Sequence, residues 1–222
     1  MRRKAGRGSL LSATWFQRWT ASTASGDADR GILGRLLRLR RHSDSPVDES
    51  AAVGLDWWGT DSATIEQAAL AARQHGVRTV LLRTGCALTP ASLASEVAQF
   101  RRRLGGWIGT EQGWTPCIDI ADEVGIITFA LQRPDLDGPA NLTAPGAVRA
   151  RHFARALGNV LGHAAWLPVP TPFVRMGLGA ATDIIVGGKR IEPAKITAAG
   201  YQFRFPDVEP ALRHIIDQEP AT

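Results

Sequence analysis

The chain has 222 residues, 44% apolar and 21% charged, with a net charge of +5. That length is enough for one large domain or two small ones, and the composition excludes a wholly disordered or fibrous chain. No apolar run approaches the roughly 20 residues of a membrane-spanning helix, so no membrane span is expected.

The positive charge is concentrated at one end. Residues 1–42 hold ten Lys and Arg against Asp27 and Asp29, a net of +8, which leaves sixteen basic and nineteen acidic residues, net −3, for the rest. The composition of this basic arm also suits a mitochondrial presequence. Its arginines suit nucleic-acid phosphates, but no aromatic side chain interleaves residues 30–41 to stack on bases, so nucleic-acid contact is not expected. A solvated, poorly ordered tail is the plainer reading. Cys86 and Cys117 form no zinc-type spacing, so no metal site and a reducing, cytoplasmic setting are expected.

Asp61 and Ser62 suit the start of a helix that carries Ile65, Ala68, Ala69 and Ala72 and stops at Gly76. Residues 77–84, Val-Arg-Thr-Val-Leu-Leu-Arg-Thr, predict a buried strand of a parallel sheet ending at Gly85. Thr89-Pro90 opens a second helix with Leu93, Val97, Phe100 and Leu104 on one face. A glycine-rich loop spans 105–116. A helix from about Asp119 carries Val124, Ile127 and Leu131, and a short strand covers 139–143. Helices are then predicted over 148–161 and 173–186, separated by a proline-rich corner at 167–170. A short helix precedes Gly200, an edge strand covers 201–205, and Pro206-Asp207 caps a last helix to Ile216. Alternating helix and strand predict an α/β fold with a partly parallel sheet.

Several of these stretches resemble one family. Leu81-Leu82-Arg83-Thr84-Gly85 is similar to the strand and turn of atypical extended short-chain dehydrogenase/reductases of the NAD-dependent sugar-nucleotide epimerase family. Gly138-Pro139-Ala140-Asn141-Leu142-Thr143-Ala144-Pro145 resembles that family's Gly-Pro-x-Asn-x-Thr-Ala-Pro turn. Gly187-Gly188-Lys189-Arg190 through Pro193, Lys195 and the run from Ala199 to Pro206 resemble its C-terminal domain of unknown function, DUF1731. The resemblance implies an incomplete Rossmann-like sheet with a smaller C-terminal α+β lobe, lacking the N-terminal Rossmann half. The implied division is a basic arm at 1–45, part of a Rossmann-like domain at 46–145 and a substrate lobe at 146–222.

The family binds NAD(P), and the resemblance places its vestige at Arg83, Thr84 and Gly85, on the carboxyl edge of a parallel strand. Gly106 to Trp114 resembles the family's substrate loop, which makes Gly109, Gln112 and Trp114 candidates for a nucleotide-sugar-like molecule. Where the family has Trp-Ile-His, this chain has Cys117-Ile118-Asp119, and Asp119 reads better as a helix cap. No glycine fingerprint follows a strand, since Gly31-Ile32-Leu33-Gly34 is preceded by no strand signal. The family's catalytic chemistry uses a tyrosine with a lysine one helical turn later. Here the single tyrosine is Tyr201, and Phe205 stands four residues on. Asp122 and Glu123 read as a solvated pair, and Cys86 as a core residue. No catalytic residue and no bound cofactor are therefore expected. The chain reads as a truncated or degenerate epimerase-like protein, as a ligand- or partner-binding module, or third as a nucleic-acid binder through its arm, and self-association is expected from its exposed sheet edge unless the arm supplies a strand or helix.

Overall fold

The computed structural model describes residues 30–36, 44–51, 57–169 and 188–218. The predicted helix over 173–186 lies outside them. The central element is a parallel sheet of three strands, in the order Arg30–Leu36 (β1), Arg78–Thr84 (β2) and Gly138–Leu142 (β6). Strand β2, Arg78–Thr84, lies in the middle because Val80, Leu81 and Leu82 are buried on both faces. Strand β6, Gly138–Leu142, pairs along one side from Val80↔Gly138 to Thr84↔Leu142.

Strand β1, Arg30–Leu36, pairs along the other side from Arg30↔Arg78 to Leu36↔Thr84. This corrects the sequence reading over those seven residues: part of the basic arm is a strand, and the run Gly31–Gly34 lies within it. Its composition hides it, since two glycines and two arginines in seven residues carry little strand signal. Seven consecutive residues in parallel register with an apolar neighbour supply what local propensity does not.

Helix α1, Trp57–Leu70, starts four residues before the predicted cap and runs on as a 3-10 turn through Ala71–His75. Gly76 ends it as predicted, with φ 76° and its N–H on the carbonyls of Ala72 and Arg73. The stretch 86–88, Cys-Ala-Leu, forms strand β3, Cys86–Leu88. Helix α2, Pro90–Arg101, is opened by a reciprocal cap in which the side chains of Thr89 and Ser92 each accept from the other's backbone N–H at 2.9 Å. Leu93, Val97 and Phe100 are buried along it, whereas Leu104 lies past its end and is exposed.

The glycine-rich loop contains a short strand β4, Gly106–Ile108, and strand β5, Cys117–Asp119, follows it. Helix α3, Ile120–Gln132, is capped by Asp119 as predicted, its carboxyl accepting from the Ala121 N–H at 2.8 Å. The helix turns Asp122, Ile126 and Ala130 to the core and leaves Val124 exposed, which corrects the predicted apolar face. Helix α4, Ala150–Leu161, leads to strand β7, Leu167–Val169, at the proline-rich corner. The small helices α5, Ala194–Ala198, and α6, Val208–Asp217, complete the described elements. Strands β3 and β5 pair in parallel, as do β4 and β7. Residues 201–205 form no strand, contrary to their alternating pattern.

Two apolar cores result. One joins Val80, Leu82, Ile126, Ala140, Leu142 and Ile196 between the sheet, α3 and α5. The other joins residues of α2, β3 and β5 to α4 and α6, so it crosses from one side of residue 146 to the other. Among the described residues no helix is long and apolar enough to cross a membrane.

Candidate functional site

Successive side chains of a strand point to opposite faces, so β2 delivers Arg83 and Thr84 to different surroundings. Arg83 is buried. Its guanidinium donates from Nε and Nη2 to the two carboxyl oxygens of Glu66 on α1, both at 2.9 Å, and from Nη1 to the backbone oxygens of Glu49 and Ala51. A fork held by a carboxyl and two carbonyls is a cross-link between β2, α1 and the 49–51 turn. Thr84, on the other face, hydrogen-bonds Glu123 of α3; burial raises the pKa of that carboxyl and the Thr84 hydroxyl partly offsets the rise. Gly85 has no room for a side chain: a Cβ there would lie 2.7 Å from the Pro116 oxygen and 2.9 Å from the Thr143 methyl.

The loop residues are held by the segment before α4. Thr115 N–H bonds the Val148 oxygen at 2.8 Å, and Ala150 N–H bonds the Gly113 oxygen at 2.7 Å. Trp114 donates from Nε1 to Asp44 at 3.2 Å, and the Arg149 guanidinium lies 4.3 Å from the centre of its ring, with Arg190 at 5.8 Å. Arg149 also donates to Asp44 at 2.9 Å and to the Gln112 backbone oxygen at 2.6 Å. The Arg149 hydrogen bond, and after it that of Trp114, holds the Asp44 carboxyl below its usual range. Gly109 turns the chain with φ 77°, and Gln112 is exposed. Pro116 links the two groups: its oxygen packs on Gly85 and accepts from the Cys86 N–H at 2.8 Å. The strand end and the loop therefore meet at Gly85 and Pro116, while Arg83 turns away from that junction.

Sequence reasoning missed the polar centre of the fold. Asp122 is not part of a solvated pair with Glu123; it is fully buried. Its carboxyl accepts from the Tyr201 hydroxyl at 3.1 Å, the Arg204 N–H at 2.9 Å and the Phe205 N–H at 2.8 Å. Gly125, one helical turn from Asp122, leaves space for the phenol, since a Cβ there would overlap the Tyr201 oxygen. The stretch 201–205 alternates like a strand yet gives the N–H groups of Arg204 and Phe205 to this one carboxyl. Asp119 is equally buried, with its second oxygen 2.8 Å from His214 Nδ1 on α6, and His214 stacks on Phe205 at 4.3 Å. Glu49 is the other anchor, accepting from the backbone N–H of Asn141 and of Lys195. The signal available in sequence was the acidic pair Asp119 and Asp122 at the start of α3, which reads as a solvated cap unless the facing backbone is known.

Burial first, and then the neighbouring Asp122 charge, push the Tyr201 phenol up to about 12 from its ordinary 10. Because it is the sole tyrosine, phenolate absorbance in an alkaline titration reads this group alone. The expected midpoint lies near pH 12, and a midpoint at or below 10 contradicts the geometry. A folded pKa above the unfolded one means the unfolded chain loses the proton first. The contribution is therefore whole below pH 10 and is lost as pH rises toward 12, and Tyr201→Phe removes that part of the alkaline loss.

A model of the domain of unknown function DUF1731 matches residues 169–215. The chain is 29% identical to the epimerase family protein YfhF of Bacillus subtilis, over 93% of the chain and 76% of that protein. It is 34% identical to the mouse epimerase family protein SDR39U1 over 66% of the chain, and spans about half, 52%, of that relative's length. The fold superposes on the human epimerase family protein SDR39U1, solved with NADPH, with a TM-score of 0.87 and 26% identity over 98% of the chain and 77% of that protein. A nucleoside-diphosphate sugar epimerase from Corynebacterium glutamicum shares the fold with a TM-score of 0.74 at 19% identity, over 97% of the chain and 45% of that protein. The matched DUF1731 segment, the relatives along the chain and the Rossmann-like sheet agree, and together they make this chain similar to the epimerase family proteins of short-chain dehydrogenase/reductase type.

Proposed function

We propose that this chain keeps the ligand-facing loop of an NAD(P)-dependent sugar-nucleotide epimerase without its hydride chemistry, and that by itself it binds a nucleotide-sugar-like molecule rather than converting one. The observation that carries the reading is the position of Tyr201. A proton-exchanging phenol must reach substrate and titrate near the working pH. The only phenol in the sequence donates to Asp122, tethers residues 201–205 to α3 and ionises near pH 12. No lysine follows one turn later.

The residues at the strand edge do not fit a dinucleotide. A pyrophosphate is normally held by the backbone N–H groups of a glycine turn at a helix start. At the carboxyl edge of β2, Gly85 is packed against Pro116 and Thr143, and its N–H bonds the Leu142 oxygen at 3.0 Å. The fork of Arg83 is engaged by Glu66. No catalytic step is assigned to a nicotinamide here.

The loop retains more. Gln112 presents an exposed amide, Gly109 permits close approach, and Trp114 is an aromatic wall backed by Arg149. An amide for sugar hydroxyls and an indole for a ring are the groups a nucleotide sugar needs. Self-association belongs to the same proposal, since Leu104 and Trp166 are exposed near the β4–β7 pair. In a thermal-shift assay, millimolar UDP-glucose or UDP-N-acetylglucosamine is expected to raise the melting temperature, and Gln112→Ala with Trp114→Ala to abolish the rise. A melting temperature unmoved by either nucleotide sugar contradicts the binding reading.

A further inference from the structure

The two cysteines of the chain lie 31 positions apart in sequence, and the fold sets them side by side. Cys86 opens β3 and Cys117 opens β5, and the parallel register pairs them directly, Cys86↔Cys117, followed by Ala87↔Ile118 and Leu88↔Asp119. Directly opposed residues of paired strands project from the same face. The burial of their neighbours identifies that face: Cys117 and Leu88 share the core beneath α2, α4 and α6, while Ile118 turns into the other core. Neighbouring strands lie about 4.8 Å apart, inside the roughly 4.4–6.8 Å Cα separation that a disulfide spans. Both strands have only three residues, so the small approach that brings the sulfurs together bends little structure. Cys86 is exposed and Cys117 buried, which corrects the reading of Cys86 as a core residue and gives the pair an accessible member and an inner one.

We propose that Cys86 and Cys117 are a redox-modification site, an accessible thiol with a resolving thiol beside it, that closes to an intrachain disulfide by exchange with a small-molecule disulfide. The Cys86 thiolate attacks one sulfur of oxidised glutathione, forming a mixed disulfide and releasing one glutathione thiolate. The Cys117 thiolate then attacks the Cys86 sulfur, and the second glutathione leaves. The protein dithiol loses two electrons and two protons, and one glutathione disulfide becomes two thiols. The product pins β3 to β5 beside Gly85 and Pro116, the junction where the strand end meets the candidate ligand loop.

Reaction is slow near neutrality. Although Cys86 reaches solvent, the protein packed around its sulfur, then Glu96 of α2 and Glu123 of α3, hold its thiol above the usual range, and burial pushes Cys117 up to about 12. The thiolate is the nucleophile, so closure accelerates as pH rises.

The test treats the full chain with oxidised glutathione at pH 7 and pH 9 and reads intact mass, a non-reducing peptide map and the melting temperature. The expected result is a monomer lighter by two hydrogens, with the Cys86 and Cys117 peptides linked and formation faster at pH 9. Its melting temperature should rise by several degrees and return to the starting value with dithiothreitol. Cys86→Ser, a surface change, should abolish the product; Cys117→Ala should leave Cys86 as a lasting glutathione adduct. A persistent glutathione adduct on the unsubstituted chain, a disulfide between two chains, or unreacted thiols at pH 9 each overturn the proposal.

Discussion

Replacing Asp122 by alanine is expected to destabilise the protein by roughly 2–4 kcal/mol, seen as a lower midpoint in urea unfolding. Three donors converge on this carboxyl, the Tyr201 hydroxyl and the N–H groups of Arg204 and Phe205, and the acceptor is fully buried. Removing it leaves two backbone donors without a protein partner at the point where the C-terminal motif joins α3. Exposure of Arg204 lets water repay part of that loss, which sets the lower end of the range. Asp122→Asn keeps one acceptor oxygen and should cost about 1–2 kcal/mol. Tyr201→Phe removes only the hydroxyl and should cost less than the alanine change, because the phenyl contacts with Phe129 and Phe203, at 5.5 and 5.1 Å, remain. Equal stability of the Asp122→Ala variant and the parent would show that the motif is held by its apolar contacts alone.

The second large effect is expected at Arg83. Arg83→Met should destabilise by about 3–5 kcal/mol, because it strands the Glu66 carboxyl among buried groups after its charged partner is gone. The two side chains are only 9% and 14% exposed, so solvent does little to soften that loss. The double variant Arg83→Met with Glu66→Met should recover most of it, since an apolar pair of similar size leaves neither charge unpartnered. The recovery separates a cross-link from a ligand site. If Arg83 served a cofactor instead, the single variant would unfold at nearly the parent's midpoint, and the Glu66 change would restore nothing.

What was legible in the sequence was what local chemistry determines. The Thr89-Pro90 start of α2, the Asp119 cap of α3, the stop at Gly76 and the apolar run of β2 each depend on residues within a turn or two of one another. Elements held by distant partners were not legible. Strands β3, β4, β5 and β7 have three residues each, too few for a periodic signal, and exist through pairing across 31 to 61 positions. Strand β1 is hidden by its arginines and glycines and is revealed by the register of β2. The candidate site divides the same way. Arg83 reads as a ligand-facing residue until Glu66 and the 49–51 turn are seen to occupy its fork. Asp122 reads as solvated until residues 204 and 205 are seen to present their N–H groups to it.

If the chain by itself lacks the family's nicotinamide chemistry, as proposed above, it should neither hold nor oxidise NADPH. Fluorescence titration of the full chain with NADPH, with and without saturating UDP-glucose, tests it most directly. A few isolated hydrogen bonds at the β2 edge, each contributing about 0.5–1.5 kcal/mol, do not reach the roughly 4 kcal/mol that even millimolar binding requires once association has cost its entropy. The expected result is no saturation up to about 1 mM NADPH and no change in nicotinamide absorbance over hours. Saturable binding in the low micromolar range, or turnover that Tyr201→Phe abolishes, would contradict it.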